Sequence, residues 1–151
     1  MENNCDECLV PFQSPVTLGI FGATLCGKTT WCKKLLEQSN DIFTDGVHKI
    51  LYCYGMYQPL FEELDSNLNN LTLYSGLPTQ EMIENFCLDR KHNIIVLDDL
   101  QQEMSSNPIM EKLFTQLAHH LNISMVFMGN NLFQKKLFKN YYSKSSCNNI
   151  I

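Results

Sequence analysis

Apolar residues in this chain fall into short runs, separated by polar stretches in which they recur at helical spacing. Five runs read as strands. Val16-Thr17-Leu18-Gly19-Ile20-Phe21 is the first. Lys49-Ile50-Leu51-Tyr52-Cys53-Tyr54 is the second, ending at Gly55. Leu71-Thr72-Leu73-Tyr74 is the third, stopped by Ser75-Gly76-Leu77-Pro78. In the fourth, Asn93-Ile94-Ile95-Val96-Leu97, successive aliphatics suit a strand covered on both faces, hence central and parallel. Ile123-Ser124-Met125-Val126-Phe127-Met128 is the fifth. The helical segments lie between and after them. One runs from Thr30 to about Gln38, where Ser39-Asn40 act as a stop. Pro59 opens another with Leu60, Phe61 and Leu64. Thr79 starts a third, with Met82, Ile83, Phe86 and Cys87 as its apolar stripe. Asn107-Pro108 opens a fourth, with Met110, Leu113, Phe114, Leu117 and Leu121 on one face. Asn131 to about Lys144 reads as a basic helix.

Strands that alternate with helices imply right-handed crossovers and an α/β fold of three layers, helices covering both faces of a mainly parallel central sheet. No repeat or linker divides the pattern. We expect an N-terminal arm over 1–15, kept extended by Pro11 and Pro15. One domain should follow over 16–144, then an unstructured tail over 145–151.

Composition narrows the picture. The chain has 151 residues, 44% hydrophobic and 18% charged, which describes a globular protein and not a disordered one. No apolar run approaches the roughly 18 residues needed to cross a bilayer, and the acidic N-terminus is no secretory signal. Seven cysteines, odd in number and scattered, read as reduced thiols of an intracellular compartment, cytoplasm or nucleus. Cys5-x-x-Cys8 is half of a zinc knuckle without a second half, so an exposed tail is the preferred reading. His119-His120 are adjacent on a helix and point in different directions. A net charge of −5 argues against a large basic nucleic-acid surface, though not against a few contacts inside a ring.

Candidate chemistry begins at Gly22-Ala23-Thr24-Leu25-Cys26-Gly27-Lys28-Thr29, which fits the phosphate-loop pattern G-x-x-x-x-G-K-[ST] at every fixed position. It lies between a strand and a helix, as its mechanics require. Gly22 and Gly27 let the backbone turn several N–H groups towards one anion. The following helix adds the positive end of its dipole. Residues Gly22 to Thr30 should therefore hold the phosphates of a nucleoside triphosphate, ATP if the resemblance given below is followed. Lys28 supplies a cation to the outer phosphates, and Thr29 offers its hydroxyl to Mg²⁺.

Asp98-Asp99 directly follows the most strand-like run. In open parallel sheets, ligands bind beyond the carboxyl ends of strands, so this pair and the loop should share one edge. Asp98 is assigned to Mg²⁺, and Asp99 to orienting or deprotonating the attacking water. The competing reading of the pair is a simple helix cap. Asn130, just past the fifth strand, is placed to sense the γ-phosphate, although Asn-rich turns are common without such a role. The chain order is compatible with strand 49–54 lying in space between the loop strand and the acidic strand.

Several of these segments carry a resemblance, in order. They are Gly22-Ala23-Thr24 with Gly27-Lys28-Thr29-Thr30-Trp31, Lys49 to Gly55, and Gln58-Pro59-Leu60-Phe61. Gly76-Leu77-Pro78-Thr79, Ile95-Val96-Leu97-Asp98-Asp99-Leu100, Leu113-Phe114-Thr115-Gln116 with His119-His120, and Asn131-Leu132-Phe133 complete the set. Together they resemble the genome-packaging ATPases of polintons and adintoviruses, within the FtsK–HerA superfamily of P-loop NTPases. The resemblance implies ATP hydrolysis coupled to double-stranded DNA translocation by a homo-oligomeric ring, associated with a virion. It also implies Asp98 as metal ligand, Asp99 as base and position 130 as polar sensor.

Three departures matter. Leu25 stands where the family carries a small or hydroxylated residue, and should crowd the loop. Gly129-Asn130 replaces Thr-Gln, giving a shorter amide. Where the family continues after Asn-Leu-Phe with an arginine-bearing segment and further strands, this sequence has Lys135 to Asn140 and soon ends, so a truncated copy is expected. Arg90 is the sole arginine, beside ten lysines. Lysine replaces a planar guanidinium poorly, so hydrolysis should be weak. A non-catalytic nucleotide-binding assembly module stays open as an alternative. A small nucleoside or nucleotide kinase fits less well, because such enzymes gather several arginines.

Overall fold

Each aliphatic run becomes a strand, and residues alternate between two covered faces. The computed structural model describes residues 11–112, 116–130 and 149–150. The strands are β1 (Thr17–Phe21), β2 (Lys49–Tyr54), β3 (Leu71–Ser75), β4 (Asn93–Asp98), β5 (Ile123–Gly129) and β6 (Asn149–Ile150). Their order in the sheet is β3-β2-β4-β5-β1-β6, and every pairing is parallel. Every residue of β4 and β5 is buried, which places these two strands at the centre.

The sheet is mainly parallel with helices on both sides, so the α/β expectation holds. One face packs Leu18, Ile50, Tyr52, Ile94, Val96 and Val126 against Cys32 and Leu36 of α1 (Lys28–Glu37) and Phe61 and Leu64 of α3 (Leu60–Asn67). The short helix α2 (Ser39–Ile42) follows α1 after a break at Gln38. The other face packs Leu51, Cys53, Ile95, Leu97, Met125 and Phe127 against Ile83 of α4 (Gln80–Phe86) and Met104 of α5 (Gln101–Ser105). Thr79 caps α4, its hydroxyl accepting the Met82 N–H at 3.2 Å. The remaining helices are α6 (Pro108–Lys112) and α7 (Ala118–His120).

Three expectations change. Strand 49–54 does not lie between the loop strand and the acidic strand. β5 does, pairing with β1 on one side and β4 on the other. The fully apolar, fully buried β5 gains most from an inner position, while β2 carries the half-exposed β3 outward. Ser39-Asn40 do not end the helical path but begin α2. The helix expected from Asn107-Pro108 opens there, as α6 from Pro108, and a separate short helix, α5, precedes it, anchored by the buried Leu100 and Met104. Within the expected unstructured tail, Asn149–Ile150 form β6 against β1. Cys5, Cys8 and the basic helix expected over 131–144 lie outside the described residues.

At the amino edge of the sheet a buried polar knot joins three strands' entry points. The His92 ring bridges the Gly46 carbonyl and Ser124 Oγ, the latter at 2.7 Å. Ser124 Oγ also accepts the Val16 N–H at 3.0 Å. Both nitrogens of the His92 ring, the Ser124 hydroxyl and the Val16 N–H are thus partnered, as burial demands.

Candidate functional site

The carboxyl edge of the sheet opens into a cleft of about 470 Å³. Residues 22–27 leave β1 and turn into α1. Gly27 caps that helix with φ 92°, a left-handed conformation suited to glycine, so the first-turn N–H groups receive no side-chain cap. A side chain at Gly22 would meet Cys26 Sγ at 2.6 Å, so the exposed Cys26 side chain would have to turn aside. The Gly22 N–H donates to the Gly129 carbonyl at 3.2 Å, joining the loop to the end of β5. Lys28 Nζ folds back and donates to the carbonyls of Gly22 and Ala23, both at 2.8 Å.

β4 delivers Asp98 to the same edge. Its side chain is buried, and its Oδ2 accepts the Tyr52 hydroxyl at 2.9 Å. Burial pushes its carboxyl above the usual carboxylate range, the Tyr52 hydrogen bond opposes this, the Asp99 charge adds to it and Lys28 opposes it. Asp99 is exposed at φ 55°, a left-handed position that aspartate tolerates. Its N–H donates to the Met128 carbonyl at 3.2 Å. The adjoining turn is tight: the Gly55 N–H donates to the Asp98 carbonyl at 3.0 Å.

Of the residues expected from sequence, Thr24, Leu25, Gly27, Lys28, Thr29, Thr30, Asp98, Asp99 and Asn130 all line this one cleft. Gly22, Ala23 and Cys26 do not line it; they form the back of the loop, and the first two hold Lys28. Leu25 does not crowd the loop: it is 99% exposed, at φ 65°. Met56, Gln58 and Pro59, from the connection between β2 and α3, also line the cleft and were not foreseen as site residues. In the sequence, Gln58-Pro59 stands out only as part of the resemblance, and Pro59 also as the start of a helix. Arg90 precedes the start of β4 and stands at the opposite edge of the sheet.

Thr29 and Asp98 are hard oxygen donors of the kind magnesium takes. Among the described residues no three His, Cys, Asp or Glu side chains gather as a metal cage. That suits magnesium, which binds through one or two protein oxygens and completes its shell with phosphate oxygens and water. The buried thiols near the site are inert: burial, followed by the Asp98 charge, raises Cys32 far above its usual range, and burial pushes Cys53 up to about 12.

A glycine-hinged loop between the first strand of a parallel sheet and a helix, facing acidic residues at a neighbouring strand end, defines the P-loop NTPase class. Within that class the chain belongs to the AAA domain family, whose model matches residues 17–137. Among solved structures, the cytoplasmic domain of EssC is similar in fold, with a TM-score of 0.60 and 16% identity. That match covers 89% of this chain and 30% of that one. ATPases 2 and 3 of Thermomonospora curvata EccC, in complex with a signal sequence peptide, align at a TM-score of 0.49 and 13% identity, over 78% of this chain and 25% of that one. The chain thus spans less than a third of either. No curated protein matches it. No helix among the described residues is long and apolar enough to cross a membrane.

Proposed function

We propose that this chain binds Mg-ATP in the cleft at the carboxyl edge of the sheet and hydrolyses it slowly, as a motor-type ATPase domain. One observation carries the reading: the loop, both aspartates and Asn130 all border a single cleft. The N–H groups of the loop and of the first turn of α1 face the phosphates. Lys28 exchanges the Gly22 and Ala23 carbonyls for β- and γ-phosphate oxygens. Thr29 and Asp98 hold the metal ion, which when bound supplies positive charge at those oxygens. Asp99 accepts the proton of the attacking water, and Asn130 orients that water or reads the γ-phosphate.

Turnover is slow because no guanidinium of the same chain reaches the cleft. The lone Arg90 stands at the other edge. Within these 151 residues a second copy docked in a ring has only that arginine to offer, and an arginine across an interface is worth about 10³–10⁵ in rate. The sequence resemblance to packaging ATPases supports double-stranded DNA as the cargo and a homo-oligomeric ring as the working form. An intracellular, reducing setting and association with a virion belong to the same proposal.

The test is Mg-ATP binding and turnover, with and without double-stranded DNA, for the wild-type chain and Lys28→Ala. Expected are binding lost in Lys28→Ala, and wild-type turnover well below the roughly 1–10³ s⁻¹ of ordinary enzymes. Unchanged ATP affinity in Lys28→Ala would overturn the site. Fast turnover abolished by Asp99→Asn would overturn the slow-motor reading. Binding with no hydrolysis on any DNA would leave an assembly module in its place. Phosphate transfer to a nucleoside would make the chain a kinase.

A further inference from the structure

The hydroxyl of Tyr52 has no place in the loop-and-aspartate site, yet it makes the one side-chain hydrogen bond that Asp98 has among the described residues. Tyr52 is fully buried in β2, opposite Val96 of β4, and Tyr54 is opposite Asp98. Tyr52 and Asp98 are therefore diagonal neighbours on adjacent strands, two residues apart along the ladder. That separation is within reach of a long aromatic side chain on the same face. The phenol ring is fixed from the helix side by Phe61, whose ring centroid lies 5.0 Å away. Its oxygen reaches Asp98 Oδ2 at 2.9 Å.

The consequence is a division of labour between the two carboxylate oxygens. Oδ2 is taken by a rigid, buried donor. Oδ1 has no hydrogen bond among the described residues, and Asp98 borders the cleft together with Thr29. A carboxylate pinned at one oxygen offers the other in a fixed direction. We propose that Tyr52 is a positioning residue for the metal site, orienting Asp98 so that its free oxygen faces the cation held with Thr29. This rests on the reading of Asp98 and Thr29 as the magnesium ligands. A tyrosine buried merely for packing would need the ring but not the hydroxyl. Groups that hold a metal ligand in place are worth about 10–100-fold in metal affinity.

The experiment compares wild type and Tyr52→Phe, which keeps the ring and removes only the oxygen. ATP affinity is measured by calorimetric titration in excess Mg²⁺ and again in excess EDTA. The expected result is about a tenfold or greater loss of affinity in Mg²⁺ with none in EDTA. In an Asp98→Asn background the same substitution should add nothing further. Unchanged affinity under both conditions would overturn the role of Tyr52. So would equal losses in both, which would mean general damage to the fold. If the wild type itself binds ATP equally well with and without Mg²⁺, the underlying metal site is wrong and Tyr52 falls with it. The wild-type titrations alone reveal that failure.

Discussion

Gly55 is the tightest backbone contact behind the two aspartates, and replacing it tests how firmly Asp99 is held. A Cβ at this position would lie 2.8 Å from the Asp99 carbonyl oxygen. Ordinary contact requires about 3.4 Å, so Gly55→Ala demands a shift of about 0.6 Å in one main chain or the other. Neither is free to move. The Gly55 N–H is bonded to the Asp98 carbonyl, and the Asp99 N–H to the Met128 carbonyl. Asp99 is already at φ 55°. Such overpacking costs about 1–3 kcal/mol. For a chain of this size that lowers the melting temperature by roughly 2–12 °C. Because the displaced atom belongs to the proposed base, ATP turnover should fall more than ATP affinity. Gly76→Ala is the contrasting variant. Its φ of 95° strains any side chain, but no atom lies within 4 Å of the added Cβ. It should cost about 1–2 kcal/mol through the backbone alone and leave turnover untouched. Urea denaturation and a phosphate-release assay on both variants decide the matter. If Gly55→Ala is as stable as wild type and hydrolyses ATP at the same rate, the close approach is not a constraint and the argument fails.

Two further outcomes follow from groups away from the cleft. Ser124→Ala strips the partner from both the Val16 N–H and the buried His92 ring, and should cost about 2–4 kcal/mol in urea denaturation; a loss below about 0.5 kcal/mol would mean that these groups find other partners. Asp89 is held below the usual carboxylate range by its hydrogen bond to Lys49, helped by the Lys91 N–H and the His48 charge. Since its folded value is the lower one, its contribution is present above the unfolded value of about 3.9 and lost as pH falls through the folded value. Wild type should therefore exceed Asp89→Asn in stability near neutral pH, and the two melting curves should converge below about pH 4. A gap that persists in acid would point to packing and not charge.

Strand positions were legible because aliphatic runs announce themselves. Lys49–Tyr54 was placed to the residue, and β4 and β5 each extend one residue past their apolar runs, to Asp98 and Gly129. The loop was legible for another reason: its glycines and lysine serve one function and tolerate few substitutes. Strand order was not legible, since parallel neighbours are joined by long crossovers and their pairing is written nowhere locally. The misplaced strand 49–54 is one result. The Tyr52–Asp98 contact is another, because it exists only once β2 and β4 are adjacent. Met56 and Gln58 were missed because a polar connection after a strand carries no signal of what it faces.

The spacer strand β5 sets the gauge of the whole cleft. With one strand between them, β1 and β4 run about two ladder spacings apart, roughly 9–10 Å. Width there belongs to the main chain, so a point substitution can refurnish either bank without moving it. Asn130 is rooted at the tip of that divider, directly after Gly129, where both banks are within view. Drift at this one position could retune the reach between loop and acid while leaving each half intact.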